Sequence, residues 1–260
     1  MSEMEIRKAV KERYSKIAVS SSSDCCGAGG CESDSGAISL DNSIPAEASS
    51  VNAGCGSPLQ LVTPAEGDVV LDLGSGGGID IFRASQIVGS NGKAIGVDAT
   101  PEMVWRARET KAKYGNKYEN AEFRLGEIEH LPVQSDSVDY VISNCVINLS
   151  PDKLAVFRES FRALKKGGVF AVADITLQSE IPDTARTDMD AWSACLAGAL
   201  TDSDYRSKLL SAGFTDVEIE HISDSNIGEY PFKYYSSHIK AKKPAHASAI
   251  AQRPASLPRP

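Results

Sequence analysis

An α/β fold with helices on both faces of a seven-stranded, mostly parallel sheet is the reading this sequence supports, and three observations carry it. Val69-Val-Leu-Asp-Leu73 is a short, apolar, β-branched run that ends in glycines at 74, 76, 77 and 78, as a buried strand entering a tight turn would. Ile79, Phe82 and Ile87 then open an apolar period that fits a helix. Asp98 stands 24 positions after Gly74 at the end of a second apolar run, where an acidic residue can accept hydrogen bonds from ribose hydroxyls. A strand, a glycine turn and a helix, followed by that acid, form the nucleotide-binding corner of a doubly wound sheet.

Taken in order, Glu5 to Ile17 reads as an amphipathic helix with Ile6, Val10, Tyr14 and Ile17 on one face. It is expected to pack as an ordinary helix, with a part in a lid over the cofactor as the other reading. Residues 18 to 50 are rich in serine, glycine and cysteine and read as a flexible loop. Strand two is expected at Lys93–Val97, and Pro101 starts a helix to about Tyr114, with proline in the first turn. Strands three and four fall at Ala121–Leu125 and Ser137–Ser143. A helix from Pro151 to Leu164 is expected to stop at Lys165-Lys166-Gly167-Gly168, because cations and glycine suit a helix C-terminus. Val169–Ile175 is strand five. Thr201-Asp-Ser-Asp204 resembles a capping box opening a helix to about Ser211. Val217–Ile222 and Tyr234–Ala241 read as a closing antiparallel pair, and the alanine- and proline-rich residues 244–260 as a disordered tail.

Spacing in the glycine turn selects the ligand. The pattern is Asp72-x-Gly74-x-Gly76-x-Gly78, whereas a dinucleotide fingerprint needs its third glycine one place later, and a P-loop needs Lys-Ser/Thr. An acidic Asp72 suits a cofactor with a cationic end, such as the ammonium and sulfonium of S-adenosyl-L-methionine, better than a pyrophosphate. Ile128 and Glu129, just past strand three, fall where an adenine amino group would be read; a plain surface charge is the alternative for Glu129.

Composition narrows the class. With 27 Lys+Arg against 35 Asp+Glu the net charge is −8, which disfavours broad nucleic-acid binding. No apolar run approaches a membrane span. The N-terminus has no apolar signal core, so a cytoplasmic location is expected. Six cysteines in such a chain are more in keeping with ligands or reactive thiols than with a disulfide framework. Cys145 ends strand four, at the edge where open α/β sheets bind ligands. Cys195 follows in an insertion after strand five, and Cys55 lies between Gly54 and Gly56. No histidine is expected near the acceptor mouth. Three thiols converging above the cofactor would select a soft, thiophilic ion, although each cysteine alone also fits a small buried hydrophobe. Cys25, Cys26 and Cys31 form a mobile thiol loop or, alternatively, part of a zinc site.

At these residues the chain resembles the arsenite methyltransferases, in a short form. The matching pieces are Gly54-Cys-Gly-Ser-Pro58, Asp72-Leu-Gly-Ser-Gly-Gly-Gly-Ile-Asp80, Gly96-Val-Asp98, Ser143-Asn-Cys-Val-Ile-Asn-Leu-Ser150 and Trp192-Ser-Ala-Cys195, spread over about residues 50 to 243. Ala99 departs from the methionine usual in the family. The resemblance implies a Rossmann-like class I methyltransferase fold. It divides the chain into an N-terminal helix and cysteine-rich loop (1–60), an S-adenosylmethionine-dependent methyltransferase domain with an arsenic-binding insertion (61–243) and a tail (244–260). It also implies that Asp72, Gly74, Ser75, Gly76, Asp98, Ile128, Glu129 and Asn144 hold the cofactor. Cys55, Cys145 and Cys195 would hold trivalent arsenic, with Cys26 or its neighbour Cys25 as the fourth, N-terminal cysteine. Expected partners are arsenite and methylated arsenicals as thiol conjugates, with a thiol reductant such as glutathione or thioredoxin; the protein is expected to act as a monomer, without nucleic acid or membrane. A methyltransferase of a small organic acceptor and a non-catalytic arsenite-binding protein are the alternatives.

Overall fold

The structure is a computed structural model that describes residues 2–19, 44–49, 56–188, 191–192, 195–225 and 232–245. Seven strands form one continuous sheet in the order β3-β2-β1-β4-β5-β8-β7. They are β1 Val69–Leu73, β2 Lys93–Asp98, β3 Ala121–Leu125, β4 Val138–Asn144, β5 Leu164–Leu177, β7 Thr215–Ser225 and β8 Tyr234–Lys242. A two-residue β6, Leu200–Thr201, adds to β5 off that path. Strands β1 to β5 pair parallel, and β8 runs antiparallel between β5 and β7.

Alternation along the strands splits the core into two layers. Leu71 and Leu73 face a layer with Phe157, Phe170 and Tyr205, whereas Val70 faces Phe82, Val104 and Tyr118. The helices that supply these layers are α3 Ile79–Val88 and α4 Pro101–Lys113 on one side, with α5 Lys153–Ala163 and α7 Asp202–Ala212 on the other. Asp152 caps α5 by accepting from the Ala155 N–H at 3.0 Å. Thr201 caps α7 through the Asp204 N–H, as the capping-box pattern suggests. Two short helices complete the described helices: α2 Ala46–Ser49, whose Ala48 joins the Val70 layer, and α6 Asp183–Arg186.

The helix over residues 151–164 ends differently from its sequence pattern. It stops at Ala163, and β5 begins at Leu164. The register slips between Val138↔Leu164 and Tyr140↔Val169, so Lys165 to Gly168 bulge out of the ladder. Lys165 pairs with Asp139 at 2.7 Å instead of capping the helix. The cation that serves the α5 terminus comes from the residue after β8: the Lys243 ammonium donates to the carbonyls of Phe161 and Leu164, each at 2.7 Å. A helix C-terminus leaves carbonyls that need such a donor, and only the β5–β8 pairing brings Lys243 to it.

Helix α1 (Glu3–Val19) buries Ile6, Ile17 and Ala18 and spans the mouth of the cleft described below. Its sequence fitted a plain packing helix best; instead Val10 and Tyr14, from the same apolar face, line that cleft. No helix among the described residues is long and apolar enough to cross a membrane. The 246–260 segment and Cys25, Cys26, Cys31 and Cys55 lie outside the described residues.

Lys243→Met keeps the buried stem and removes the donor. It should destabilise the fold by roughly 1.5–3 kcal/mol, the range for hydrogen bonds to a charged group, measured as a lower urea midpoint with an unchanged slope.

Candidate functional site

Parallel register brings the ends of β1, β2 and β4 to one edge. Leu73 stands opposite Val97 on one side and Ser143 on the other. The residues just beyond these three strands are therefore neighbours: the glycine turn, Ala99 and Cys145. The turn is held by the Gly74 and Ser75 N–H groups, which donate to the Val97 carbonyl at 2.7 and 3.1 Å. Gly76, at φ +51°, has open space where a side chain would stand, while a Cβ on Gly96 would lie 2.5 Å from Ser75 Oγ. Glycine at 96 lets the turn lie against β2, and glycine at 76 leaves backbone accessible from the cleft.

Asp98 fastens this turn. One carboxylate oxygen accepts from the Gly76 N–H at 2.9 Å and the other from the Thr100 N–H at 2.8 Å. Burial pushes its pKa up and those two N–H groups pull it back, with a net rise. Asp72 is also buried, and burial, then Asp80, then Asp98 push its carboxyl well above the usual range. Asp80, in the first turn of α3, is the third carboxylate lining the cleft. Burial raises it to about 6 against the pull of Arg83. Its Oδ1 is buried with no hydrogen-bond partner, although Arg83 stands 3.5 Å away.

Three buried carboxylates in a glycine cradle make a negative pocket suited to a cationic ligand. Of the three, sequence reasoning gave Asp80 no role; as the last residue of the glycine motif it carried a signal only through the helix that follows.

The cleft wall beyond β3 differs in detail from expectation. Ile128 and Glu129 line the cleft, but the Glu129 carboxylate is committed to protein groups. It accepts from Arg7 at 2.9 Å and from Ser150 Oγ at 2.5 Å. Glu127 in turn pairs with Lys11 at 2.5 Å and Arg7 at 3.4 Å. These ion pairs fix α1 across the cleft, and Arg7 and Lys11 carried no such signal in the sequence. Asn144 also lines the cleft, and its amide donates to the Gly56 carbonyl at 2.6 Å. That bond ties the backbone next to Cys55 to the residue next to Cys145.

Beside the cleft, two cysteines fifty residues apart in the chain meet. The Cys195 thiol donates to the Cys145 carbonyl at 2.9 Å. Both residues have left-handed backbones, φ 54° at Cys145 and 63° at Cys195. Such conformations are costly for non-glycine residues and concentrate at functional sites. Both cysteines sit in an apolar cap with Leu149, Ile175, Trp192 and Tyr234. Cys145 is disulfide-bonded and Cys195 is not. This departs from the expectation of reduced ligand thiols. His238 departs as well: it stands opposite Ala173 in the β5–β8 ladder, and a Cβ on Gly56 would be 3.5 Å from its Nε2. The antiparallel return of β8 puts it at this edge, and partial burial lowers its pKa. Among the described residues no cluster of three or more His, Cys, Asp or Glu forms a metal site.

The fold and the acidic glycine cradle define an S-adenosylmethionine-dependent class I methyltransferase. The family model of the methyltransferase domain matches residues 64–216. The chain is 45% identical to an arsenite methyltransferase of Halobacterium salinarum, over 93% of this chain and 67% of that protein. It is 36% identical to one of Aquipseudomonas alcaligenes, over 86% and 68%. The crystal structure of an arsenic(III) S-adenosylmethionine methyltransferase from Chlamydomonas reinhardtii superposes with a TM-score of 0.69 at 33% identity, covering 80% of this chain and 72% of that one. The chain belongs to the arsenite methyltransferase family, and it spans about two thirds of the length of the two microbial relatives.

Two consequences are measurable. Asp98→Ala removes a charged acceptor and frees the Gly76 N–H, so S-adenosylmethionine binding should weaken by roughly 1.5–3 kcal/mol in titration calorimetry. Asp80→Asn should weaken it too, yet stabilise the ligand-free protein near neutrality. The folded pKa of about 6 exceeds the unfolded 3.8. The stability this group contributes is therefore full below pH 3.8 and lost as pH rises through 6. The melting temperature of Asp80→Asn relative to the parent should climb between pH 4.5 and 7, by the equivalent of about 1–3 kcal/mol. A constant difference across that window would remove Asp80 from the set of strained carboxylates.

Proposed function

We propose that this chain is an arsenite methyltransferase that methylates trivalent arsenic held by Cys55, Cys145 and Cys195, and so detoxifies arsenic. The observation that carries the reading is the meeting of Cys145 and Cys195 in strained backbones beside the cofactor cleft. When bound, S-adenosylmethionine supplies a sulfonium-activated methyl group to the arsenic lone pair. Asp72 and Asp80 face its positive charges, Asp98 accepts from its ribose hydroxyls, and the glycine turn gives it room.

The thiols do the rest. Arsenite exchanges its hydroxyls for thiolates and releases water, and thiolate is the binding form. Three sulfurs leave arsenic with a lone pair, so the acceptor needs positioning and no general base. The apolar cap around Cys145 and Cys195 keeps water away from the metalloid. Giving its lone pair to the methyl group takes arsenic to the pentavalent state; on its return to the trivalent state one sulfur leaves it, and Cys145 with Cys195 suffice as ligands. Returning arsenic to the trivalent state takes two electrons, which a pair of protein thiols supplies by closing as a disulfide. Two equivalents of an external thiol such as glutathione, or thioredoxin, then reopen that bond and become oxidised in turn. Cys26, or its neighbour Cys25, is read as the cysteine that delivers arsenite or closes a disulfide with Cys55 during turnover, since about 30 residues of chain bring those two sulfurs together at modest entropic cost.

Single Cys→Ser variants assayed with arsenite and with monomethylarsenite test this division of labour. Cys145→Ser and Cys195→Ser should lose at least about 100-fold on both substrates, equivalent to roughly 2.7 kcal/mol. Cys55→Ser should lose most on arsenite alone. Full activity of Cys145→Ser on either substrate would remove the arsenic site.

A further inference from the structure

We propose that Lys153 is a positioning residue for the arsenic site, its buried ammonium clamping the Cys145-bearing turn to the Trp192–Cys195 segment. The inference rests on the reading of Cys145 and Cys195 as arsenic ligands. Lys153 is the first residue of α5 and only 7% exposed. Its Nζ donates to the carbonyls of Ser150 at 2.8 Å and Asn148 at 3.3 Å. These close the turn that leaves the sheet at Cys145. On its other side the ammonium lies 5.4 Å from the centre of the Trp192 ring. The indole is itself fixed, because its N–H donates to the Arg186 carbonyl at 2.7 Å. From there the chain reaches Cys195, whose N–H donates to the Trp192 carbonyl at 2.9 Å. One cation therefore touches both cysteine-bearing segments.

The junction has little slack. A Cβ on Gly198 would lie 2.0 Å from the Asn148 carbonyl and 2.5 Å from the Trp192 ring, so the two segments meet almost backbone to backbone there. Asn148 pins the turn to β5, its amide donating to Asp174 Oδ1 and to the Ile175 carbonyl, both at 2.8 Å. Lys153 forms no ion pair among the described residues. Burying an ammonium without one is unfavourable, and burial lowers its pKa to about 8. A methionine would fill the same volume without that cost, but it can neither hold two carbonyls nor attract the face of an indole. The two segments it joins give the charge its contacts, and the buried Asp174 carboxylate nearby offsets part of its cost.

The test is arsenite binding to the reduced full chain, measured by equilibrium dialysis with arsenic counted by mass spectrometry, beside melting curves and S-adenosylmethionine calorimetry. Lys153→Met should melt cooperatively and bind arsenite at least tenfold more weakly. Its KM for arsenite should rise by more than its kcat falls. Lys153→Arg, which keeps a cation against Trp192, should recover affinity to within about threefold of the parent. Arsenite binding by Lys153→Met within twofold of the parent would overturn the proposal. If that variant does not melt cooperatively, Lys153→Gln decides by the same criterion; loss of cooperative melting in both would assign Lys153 to the fold alone and overturn it equally. Cys145→Ser in the same dialysis separates the two failures. If it binds as the parent does, the arsenic-site reading falls. If it loses binding while Lys153→Met keeps it, only the clamp falls.

Discussion

Parallel pairing of β1 with β2 and β4 is the constraint on which the site depends. Because the register sets Leu73 beside Val97 and Ser143, the glycine turn, Asp98 and Cys145 leave the sheet at one level. A parallel ladder buried on both faces tolerates no slip, since a one-residue shift would turn Asp72 into the opposite core layer. The backbone hydrogen bonds of Gly74 and Ser75 to Val97 and the Asp98 clasp on Gly76 then close the cradle. Each is short-range, and each exists only because the strands bring its partners together.

On that edge the molecule keeps two environments side by side. The cofactor cleft gathers three carboxylates whose ionised forms burial disfavours, a state that a cationic ligand relieves. The neighbouring cap is apolar and surrounds the two cysteines. Asn144 and Val146 flank Cys145 and line the cleft, so one short stretch of chain borders both. Under the cap the polar groups are few and buried: Lys153, Asn148 and Asp174. Burial raises Asp174 to about 7 while it lowers Lys153 to about 8, the opposite directions expected for an acid and a base taken out of water.

Helix α1 shows how electrostatics can give an ordinary amphipathic helix a specific seat. Its apolar residues Ile6 and Ile17 find cover, but Arg7 and Lys11 choose the place by pairing with Glu127 and Glu129 beyond β3. Glu129 is almost fully buried, so its pairing with Arg7 carries more weight than the exposed pair of Lys8 and Glu12. Glu129, which the sequence sets where an adenine amino group would be read, is in the folded chain also an attachment point of the helix over the cleft.

The local signals determined a good deal. Hydrophobic period and turn chemistry located the strands from Val69 to Leu125 to within one residue, because each is a short run bounded by glycine, proline or charge. The glycine spacing marked the turn after β1 for the same reason, since a left-handed backbone is a demand on single residues. The short β6, the bulge at Lys165–Gly168 and the reach of Lys243 to the end of α5 were decided by tertiary structure. So were the seat of α1, the return of His238 to the site and the contact of Cys195 with Cys145. In each of these the partners lie tens of residues apart or more, and only the stacking of strands at one sheet edge fixes which of the compatible partners a side chain meets.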